Sequence, residues 1–156
     1  MTYRAVYDSM VVFQWAALPP GREHATIRLL QSGEVRLCMS ASLLGEIRGI
    51  LSRPAIRAKA PNLTDARVSE ILQALLKFAD WFDSVPQQFS LSLHPKDNHL
   101  FDLAIVGRAD FLVTFENRLL KLDAAPNPDR QRLRALTPSL KIVRPDRLSQ
   151  EILNRP

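Results

Sequence analysis

Short apolar runs rich in β-forming residues alternate along this chain with segments of helical periodicity. The strand-like runs are Tyr3–Tyr7, Val35–Met39, Phe111–Thr114 and Leu140–Val143. Each run is short and rich in β-forming residues, as expected for a β-strand. The alternation therefore predicts an α/β fold, with a central, mostly parallel sheet, helices on both of its faces and right-handed crossovers.

The helical segments are delimited by caps and prolines. They are the segment from Asp8 to Leu18, Glu23–Gln31, the segment from the N-cap Ser40 to Pro54, Thr64 to about Phe82, Asp97 to Gly107, a short helix around Asp129–Leu136 and a terminal helix that begins at Pro145. The alternation of Phe89–Leu93 is compatible with either a short edge strand or an extended loop.

The composition is that of a folded protein of ordinary size. The chain has 156 residues, 46% of them hydrophobic and 24% charged, which favours a single domain over residues 1–156 and excludes a disordered chain. Its net charge of +5 permits binding to polyanions such as nucleic acid. The basic residues are spread along the chain, however, so charge alone does not identify the partner.

The cysteine content and the N-terminus predict a cytoplasmic protein. Cys38 is the only cysteine, which excludes an internal disulfide, and it lies in an apolar run where a buried thiol is expected. The first residues lack the long apolar segment of a secretory signal. No apolar run approaches the ~20 residues of a membrane span, so no membrane association is expected.

Four widely spaced acidic residues, Asp8, Glu46, Asp97 and Glu116, are the best indication of function. Ligands of open α/β sheets bind in the crevice at the carboxyl ends of the strands, where such side chains can converge. Converging carboxylates suit a hard cation such as Mg²⁺ or Mn²⁺, which is commonly held by carboxylates together with substrate phosphates. The pattern therefore suggests a metal-dependent site acting on phosphate.

Asp8, Asp97 and Asp102 also have simpler interpretations. Asp8 and Asp97 are good helix N-caps, and Asp102 could be a surface residue. Glu46 lies near the apolar stripe of its helix, whereas a solvated glutamate would more naturally face away from it. The functional interpretation depends on the four acids acting jointly.

Four segments resemble the PIN domain family in order and spacing. They are Val6–Ser9, Ser40–Leu51 with its internal Glu46, Pro95–Ala104 and Ala109–Thr114. The likeness extends from Tyr3 to the helix after Val143-Arg144-Pro145, and it is greatest to the bacterial, VapC-like branch of toxin–antitoxin toxins. This resemblance implies a three-layer α/β/α domain that cuts RNA with Mg²⁺ or Mn²⁺ held by three or four acids.

By this resemblance each acid has a role in a metal-dependent ribonuclease. Asp8 and Asp97 would be direct metal ligands, and Glu46 and Glu116 would act through water or orient the nucleophile. Glu116 takes the place of a usual aspartate. The residues expected beside these acids or against the substrate are Ser9, Asn98, Asp102, Thr114 and Arg118.

Several positions depart from the family pattern. Met10 replaces a polar amide, His94 replaces an aspartate, and Phe115-Glu116 replaces Gly-Asp. Arg118 places a positive charge where a carboxylate is expected, so it would either compete with a divalent ion or contact RNA phosphate.

Two hypotheses follow from these matches and departures. The first is a metal-dependent endoribonuclease, the toxin of a toxin–antitoxin pair, with RNA and an antitoxin protein as partners and a homodimeric state by family likeness. The alternative is a catalytically degenerate PIN-like module that binds RNA or a protein. A receiver-like domain is disfavoured, because no acidic pair adjoins the first strand.

Overall fold

A computed structural model describes residues 1–156 and shows a five-stranded sheet in which all strands are parallel. The strands are β1 (Tyr3–Tyr7), β2 (Val35–Met39), β3 (Ala79–Trp81), β4 (Phe111–Val113) and β5 (Lys141–Val143). Their spatial order is β3-β2-β1-β4-β5. The predicted α/β fold with a parallel central sheet is confirmed.

Nine α-helices flank this sheet and complete a three-layer α/β/α arrangement. They are α1 (Ser9–Ala17), α2 (Ala25–Gln31), α3 (Ala41–Ser52), α4 (Pro54–Lys59), α5 (Asp65–Phe78), α6 (Asn98–Val106), α7 (Asn117–Ala124), α8 (Pro128–Leu136) and α9 (Leu148–Leu153). Helices α1, α3 and α5 pack against one another, and α2 contacts α9. None of the helices is both long and apolar enough to cross a membrane.

The buried residues of the central strands are apolar. All three residues of β4 are buried, and so are Ala5, Val6 and Tyr7 of β1. They belong to one hydrophobic cluster of 40 buried residues. Because both faces of these strands are covered by helices, neither face needs polar side chains.

Strand β1 is the point at which the chain reverses its direction across the sheet. From β1 the chain adds β2 and then β3 on one side, and it later adds β4 and β5 on the other side. Such a reversal opens a crevice at the carboxyl ends of the two strands that flank it, here β1 and β4. The residues that follow Tyr7 and Val113 therefore lie where α/β proteins bind their ligands.

The predicted extent of the longest helix is wrong at its C-terminal end. Helix α5 ends at Phe78, and Ala79–Trp81, which the helical pattern had included, forms β3. Strand β3 pairs in parallel with β2, and Asp80 forms an ion pair with Arg36 at 2.8 Å. Pairing at the sheet edge thus overrides the local periodicity.

The structure also decides one open prediction and adds two helices that were not predicted. Phe89–Leu93 is a loop and not a strand. Helices α4 and α7 were not predicted, and α4 begins at the proline that was taken to end α3. The short helix expected around Asp129–Leu136 is confirmed as α8.

The single thiol lies inside the core, as expected. Cys38 is fully buried, and this burial raises its pKa to about 12. A Cβ atom at Gly107 would lie 2.6 Å from Cys38 Sγ, so only glycine fits this close approach between the end of α6 and β2. Cys38 is therefore a packing residue with an unreactive thiol.

Candidate functional site

Asp8 lies in the crevice between the carboxyl ends of β1 and β4. Tyr7 is paired with Val113 in the parallel register, and the Asp8 backbone N–H continues the ladder by donating to Val113 O at 3.0 Å. Thr114, the residue after β4, donates from its hydroxyl to Asp8 Oδ2 at 2.8 Å. Sheet pairing therefore positions Asp8 and Thr114 against each other, although 106 positions separate them in sequence.

The second oxygen of Asp8 is held by the start of α1. Asp8 is the N-cap of this helix, as predicted, and its Oδ1 accepts from the Ser9 backbone N–H at 2.7 Å. Burial raises the pKa of Asp8, and the charges of Glu46 and Asp97 raise it further, while the hydrogen bonds from Thr114 and Ser9 act in the opposite direction. The carboxylate is thus rigidly held in a site that disfavours its charge.

Ser9 connects Asp8 to the second acid. Its hydroxyl lies 3.3 Å from Asp8 Oδ1 and 3.5 Å from Glu46 Oε1, so its single proton can be donated to only one of them at a time. Glu46 projects from the middle of α3 toward the crevice. The prediction that this glutamate does not face away from the protein is consistent with these contacts.

His99 contacts Glu46 from the other side. Its Nε2 lies 2.9 Å from Glu46 Oε2, yet Glu46 Oε2 and His99 Nδ1 are both buried without a well-aligned hydrogen-bond partner. The two side chains form an ion pair when His99 is protonated. This contact lowers the pKa of Glu46 and raises that of His99.

Asp97 approaches the same crevice from a 3-10 turn at Pro95–Asp97, directly before α6. It occupies the N-cap position of α6 but makes no capping hydrogen bond, so its carboxylate is free for another role. Burial raises the pKa of Asp97. Glu46 and Glu116 raise it further, whereas Arg118 and Lys96 lower it.

Glu116 is half-exposed, and it is the acid of the four that pairs with an arginine. Arg118 Nε lies 2.9 Å from Glu116 Oε1, and Arg118 Nη1 lies 2.7 Å from His94 Nδ1. The hydrogen bond from Arg118 lowers the pKa of Glu116. Arg118 therefore binds the fourth acid directly, and its charge also reaches Asp97.

Two of the residues predicted beside the acids support a loop instead. Asp102 is buried and accepts from the backbone N–H groups of Gln88 and Phe89 at 2.8 and 2.9 Å. Asn98 Oδ1 accepts from the Leu91 backbone N–H at 2.8 Å. In this structure both side chains anchor the segment 88–91 to α6, and neither is bonded to an acid of the crevice.

His99 is the main contact that sequence reasoning missed. It lies two positions after Asp97, and that spacing places it on the first turn of α6 facing Glu46. A histidine among apolar helix positions can have many roles. Its contact with Glu46 becomes evident only when the position of α3 in the fold is known. The available signal was its place inside the acid-containing segment Pro95–Ala104.

The arrangement fits a divalent cation in charge and ligand type but is not closed around one. No three histidine, cysteine, aspartate or glutamate side chains are grouped closely enough to hold a metal ion in this structure. Glu46 is turned to His99 and Glu116 to Arg118. Even so, Asp8, Asp97 and Glu46 supply carboxylate oxygens, the ligand type that a hard cation prefers, and the charge of Glu46 contributes to the raised pKa of both aspartates.

Comparison with known proteins agrees with this geometry. Residues 4–118 match the model of a family described as PIN domain, and this segment includes β1 to β4 and all four acids. No curated protein matches the chain. PIN domains are generally nucleases. Because the match covers well over half of the sequence, the chain belongs to the PIN domain family.

Proposed function

We propose that this protein is an endoribonuclease that depends on Mg²⁺ or Mn²⁺. The observation that carries the proposal is the convergence of Asp8, Glu46 and Asp97 at the crevice between β1 and β4, where the charge of Glu46 raises the pKa of both aspartates. Such a cluster is stabilised by a cation, and the phosphodiester of RNA is the kind of ligand that shares that cation.

Asp8, Asp97 and Glu46 would hold the ion. When bound, the ion supplies positive charge to the phosphate oxygens and lowers the pKa of water. The protein positions these carboxylates. Thr114 and the Ser9 N–H hold the Asp8 carboxylate by one hydrogen bond to each of its oxygens. Ser9 provides a hydroxyl between Asp8 and Glu46.

Arg118 is suited to contact the substrate. It is about 42% exposed, and its charge already acts on Asp97. A guanidinium at this position can exchange Glu116 for a phosphate oxygen when RNA binds, because both partners are oxygen anions. In this proposal Arg118 is a substrate ligand and Glu116 keeps it oriented before binding.

The direct test is cleavage of a labelled single-stranded RNA, with DNA of the same sequence as a comparison, in Mn²⁺, in Mg²⁺ and in EDTA. We expect metal-dependent cleavage of RNA that is lost in Asp8→Asn and in Asp97→Asn. Glu70→Gln, on the exposed face of α5, is the matched control and should cleave normally. Cleavage that survives both aspartate substitutions, or that persists in EDTA, would contradict the proposal.

A second candidate is a module that binds RNA without cutting it. It is favoured by the Arg118–Glu116 and His94 contacts, which place a positive group at the fourth acid, and by the open arrangement of the carboxylates. RNA binding without cleavage, together with calorimetry that detects no Mn²⁺ binding, would support this candidate.

We further propose that the protein is the toxin of a toxin–antitoxin pair, acting as a homodimer with a cognate antitoxin. The support is the likeness of its motifs to the bacterial toxin branch. Expression in a bacterial host should arrest growth, and Asp8→Asn should relieve the arrest. Toxicity that persists in Asp8→Asn would separate growth arrest from catalysis.

A further inference from the structure

A polar cleft of about 450 Å³ adjoins the acid crevice. It lies between the start of α3, the segment 82–90 that follows β3, and the first turn of α6. Only four of the 14 residues that line it are hydrophobic. A cavity of this size falls within the range of small-ligand sites and has room for a single nucleotide.

The cleft is continuous with the acids through two side chains. His99 lines the cleft and also contacts Glu46. Lys96 lines the cleft directly before Asp97, and its charge lowers the pKa of both Glu46 and Asp97. A strand whose phosphate lies at the acids can therefore place its neighbouring nucleotide in the cleft.

Lys96 is the positive group of the cleft. It makes no ion pair, and it is the only lysine or arginine among the lining residues. Two acids also line the cleft: Asp102 accepts from two backbone N–H groups, and Asp83 accepts from Trp81 Nε1 at 2.7 Å. Both carboxylates oppose an anion, so a phosphate in the cleft is expected at Lys96 and away from these two side chains.

Neutral donors complete the lining. Ser40 caps α3 by accepting from the Leu43 N–H, and the N–H groups of Ala41 and Ser42 in the first turn have no intrahelical partner. Ser42 and Ser90 are exposed hydroxyls on opposite walls. Half-buried Phe82 also lines the cleft, and Arg4 lies over its ring, 5.9 Å from the ring centroid.

We infer that this cleft binds the nucleotide of single-stranded RNA next to the one whose phosphate lies at the acids, with Lys96 as its phosphate ligand. The inference rests on the proposed nuclease function and extends it by assigning a second substrate subsite. Asn98 and Asp102 then act as positioning residues, since they anchor the loop that forms one wall.

The test measures binding of a short fluorescent single-stranded oligoribonucleotide by anisotropy in EDTA, where no cleavage intervenes. Lys96→Gln should weaken binding about five- to tenfold and reduce the salt dependence by roughly 0.7, the slope expected for one lost phosphate contact on a single strand. Ser42→Trp and Ser90→Trp fill the cleft from opposite walls and should each weaken binding about tenfold or more. Lys77→Gln, an exposed lysine on α5, is the matched control and should bind within about twofold of the parent, as expected for a lysine that contacts no phosphate.

Thermal unfolding of each variant separates lost binding from lost folding. If Lys96→Gln and both tryptophan variants fold and bind RNA as the parent does, the subsite is wrong, whether or not the protein cleaves RNA. If the parent binds through the cleft but never cleaves, the nuclease proposal fails and the subsite stands. Chemical-shift changes on adding adenosine 5′-monophosphate should cluster at the amides of Ala41, Ser42 and Ser90, and changes confined to other regions would contradict the assignment.

Discussion

Asp8 and Glu116 follow neighbouring parallel strands, but their carboxylates are held in opposite ways. Asp8 is largely buried, fixed by Thr114 and the Ser9 N–H, and its pKa is raised. Glu116 is half-exposed, bonded to Arg118, and its pKa is lowered. Two hydrogen bonds hold the Asp8 carboxylate in a site that disfavours its charge. The charge of Glu116 is instead balanced by Arg118. If the protein is the metal-dependent nuclease proposed above, this difference predicts that Asp8 is the more important metal ligand and that Glu116 can be replaced.

The largest effect is expected when the charge of each acid is removed in turn, which tests whether Asp8 and Glu116 differ in function. Asp8→Asn should reduce RNA cleavage about 1,000-fold, the equivalent of roughly 4 kcal/mol of transition-state stabilisation. Glu116→Gln should cost about tenfold or less, because its charge is already paired. Initial rates on one labelled RNA at saturating Mn²⁺ make the measurement, and equal losses in the two variants would remove the distinction.

A second prediction concerns the residue that orients Asp8. Thr114→Val removes the hydrogen bond to Asp8 Oδ2 and keeps the shape of the side chain. We expect cleavage to fall about 10- to 100-fold with weaker Mn²⁺ binding, as is typical when a group that orients a metal ligand is lost. Thr114→Ser retains the hydroxyl and should recover most of the affinity in calorimetry. Failure of Thr114→Ser to recover it would show that the methyl group, not the hydrogen bond, is required.

The third prediction tests the positive side of the crevice. Arg118→Gln removes the charge that acts on Glu116 and Asp97, so Mn²⁺ binding measured by calorimetry should become about three- to tenfold tighter, a gain of about 1 kcal/mol. RNA affinity should fall in the same variant if Arg118 contacts phosphate. Arg53→Gln, at an exposed arginine between α3 and α4, is the control. Unchanged or weaker Mn²⁺ affinity in Arg118→Gln would mean that the arginine does not compete with the ion.

The smallest effect concerns stability without metal. A raised carboxylate pKa means that the folded state binds that proton more tightly than the unfolded state does. The contribution of Asp8 to stability is therefore fully present below its ordinary pKa of 3.8 and is lost as pH rises through its folded-state pKa. At pH 7, Asp8→Asn should therefore raise the melting temperature in EDTA by roughly 2 °C. The lowered pKa of Glu116 has the opposite sign, and Glu116→Gln should give no such gain. A fall in the melting temperature of Asp8→Asn would show that its hydrogen bonds outweigh its desolvation.

The sequence was sufficient for the parts of the fold that burial dictates. β1 and β2 were predicted at their observed limits because each is a short run of mostly apolar, β-forming residues that a polar or turn-forming residue ends. β3 was missed because it is three residues long, lies at the edge and continues the apolar spacing of α5. Its strand conformation depends on pairing with β2, which no local pattern reports.

The sequence was sufficient to locate the acids of the candidate site. It was not sufficient to predict which side chains pair with them. Asp8 could be located because it directly follows a recognisable strand. The contacts of His99 with Glu46 and of Arg118 with His94 depend on side-chain directions across separate elements. The loop-supporting roles of Asn98 and Asp102 likewise depend on a loop without periodicity.

The hydrogen bond between Thr114 and Asp8 has a consequence for the order of synthesis. Its two partners are 106 positions apart, so a ribosome makes Asp8 early and the group that orients it only after most of the chain. At about 5–20 residues per second, this interval lasts on the order of 5–20 s. The nascent chain therefore carries Asp8 without its Thr114 hydrogen bond throughout translation of α1 to α6, and the crevice between β1 and β4 forms only after β4 has left the exit tunnel and inserted beside β1.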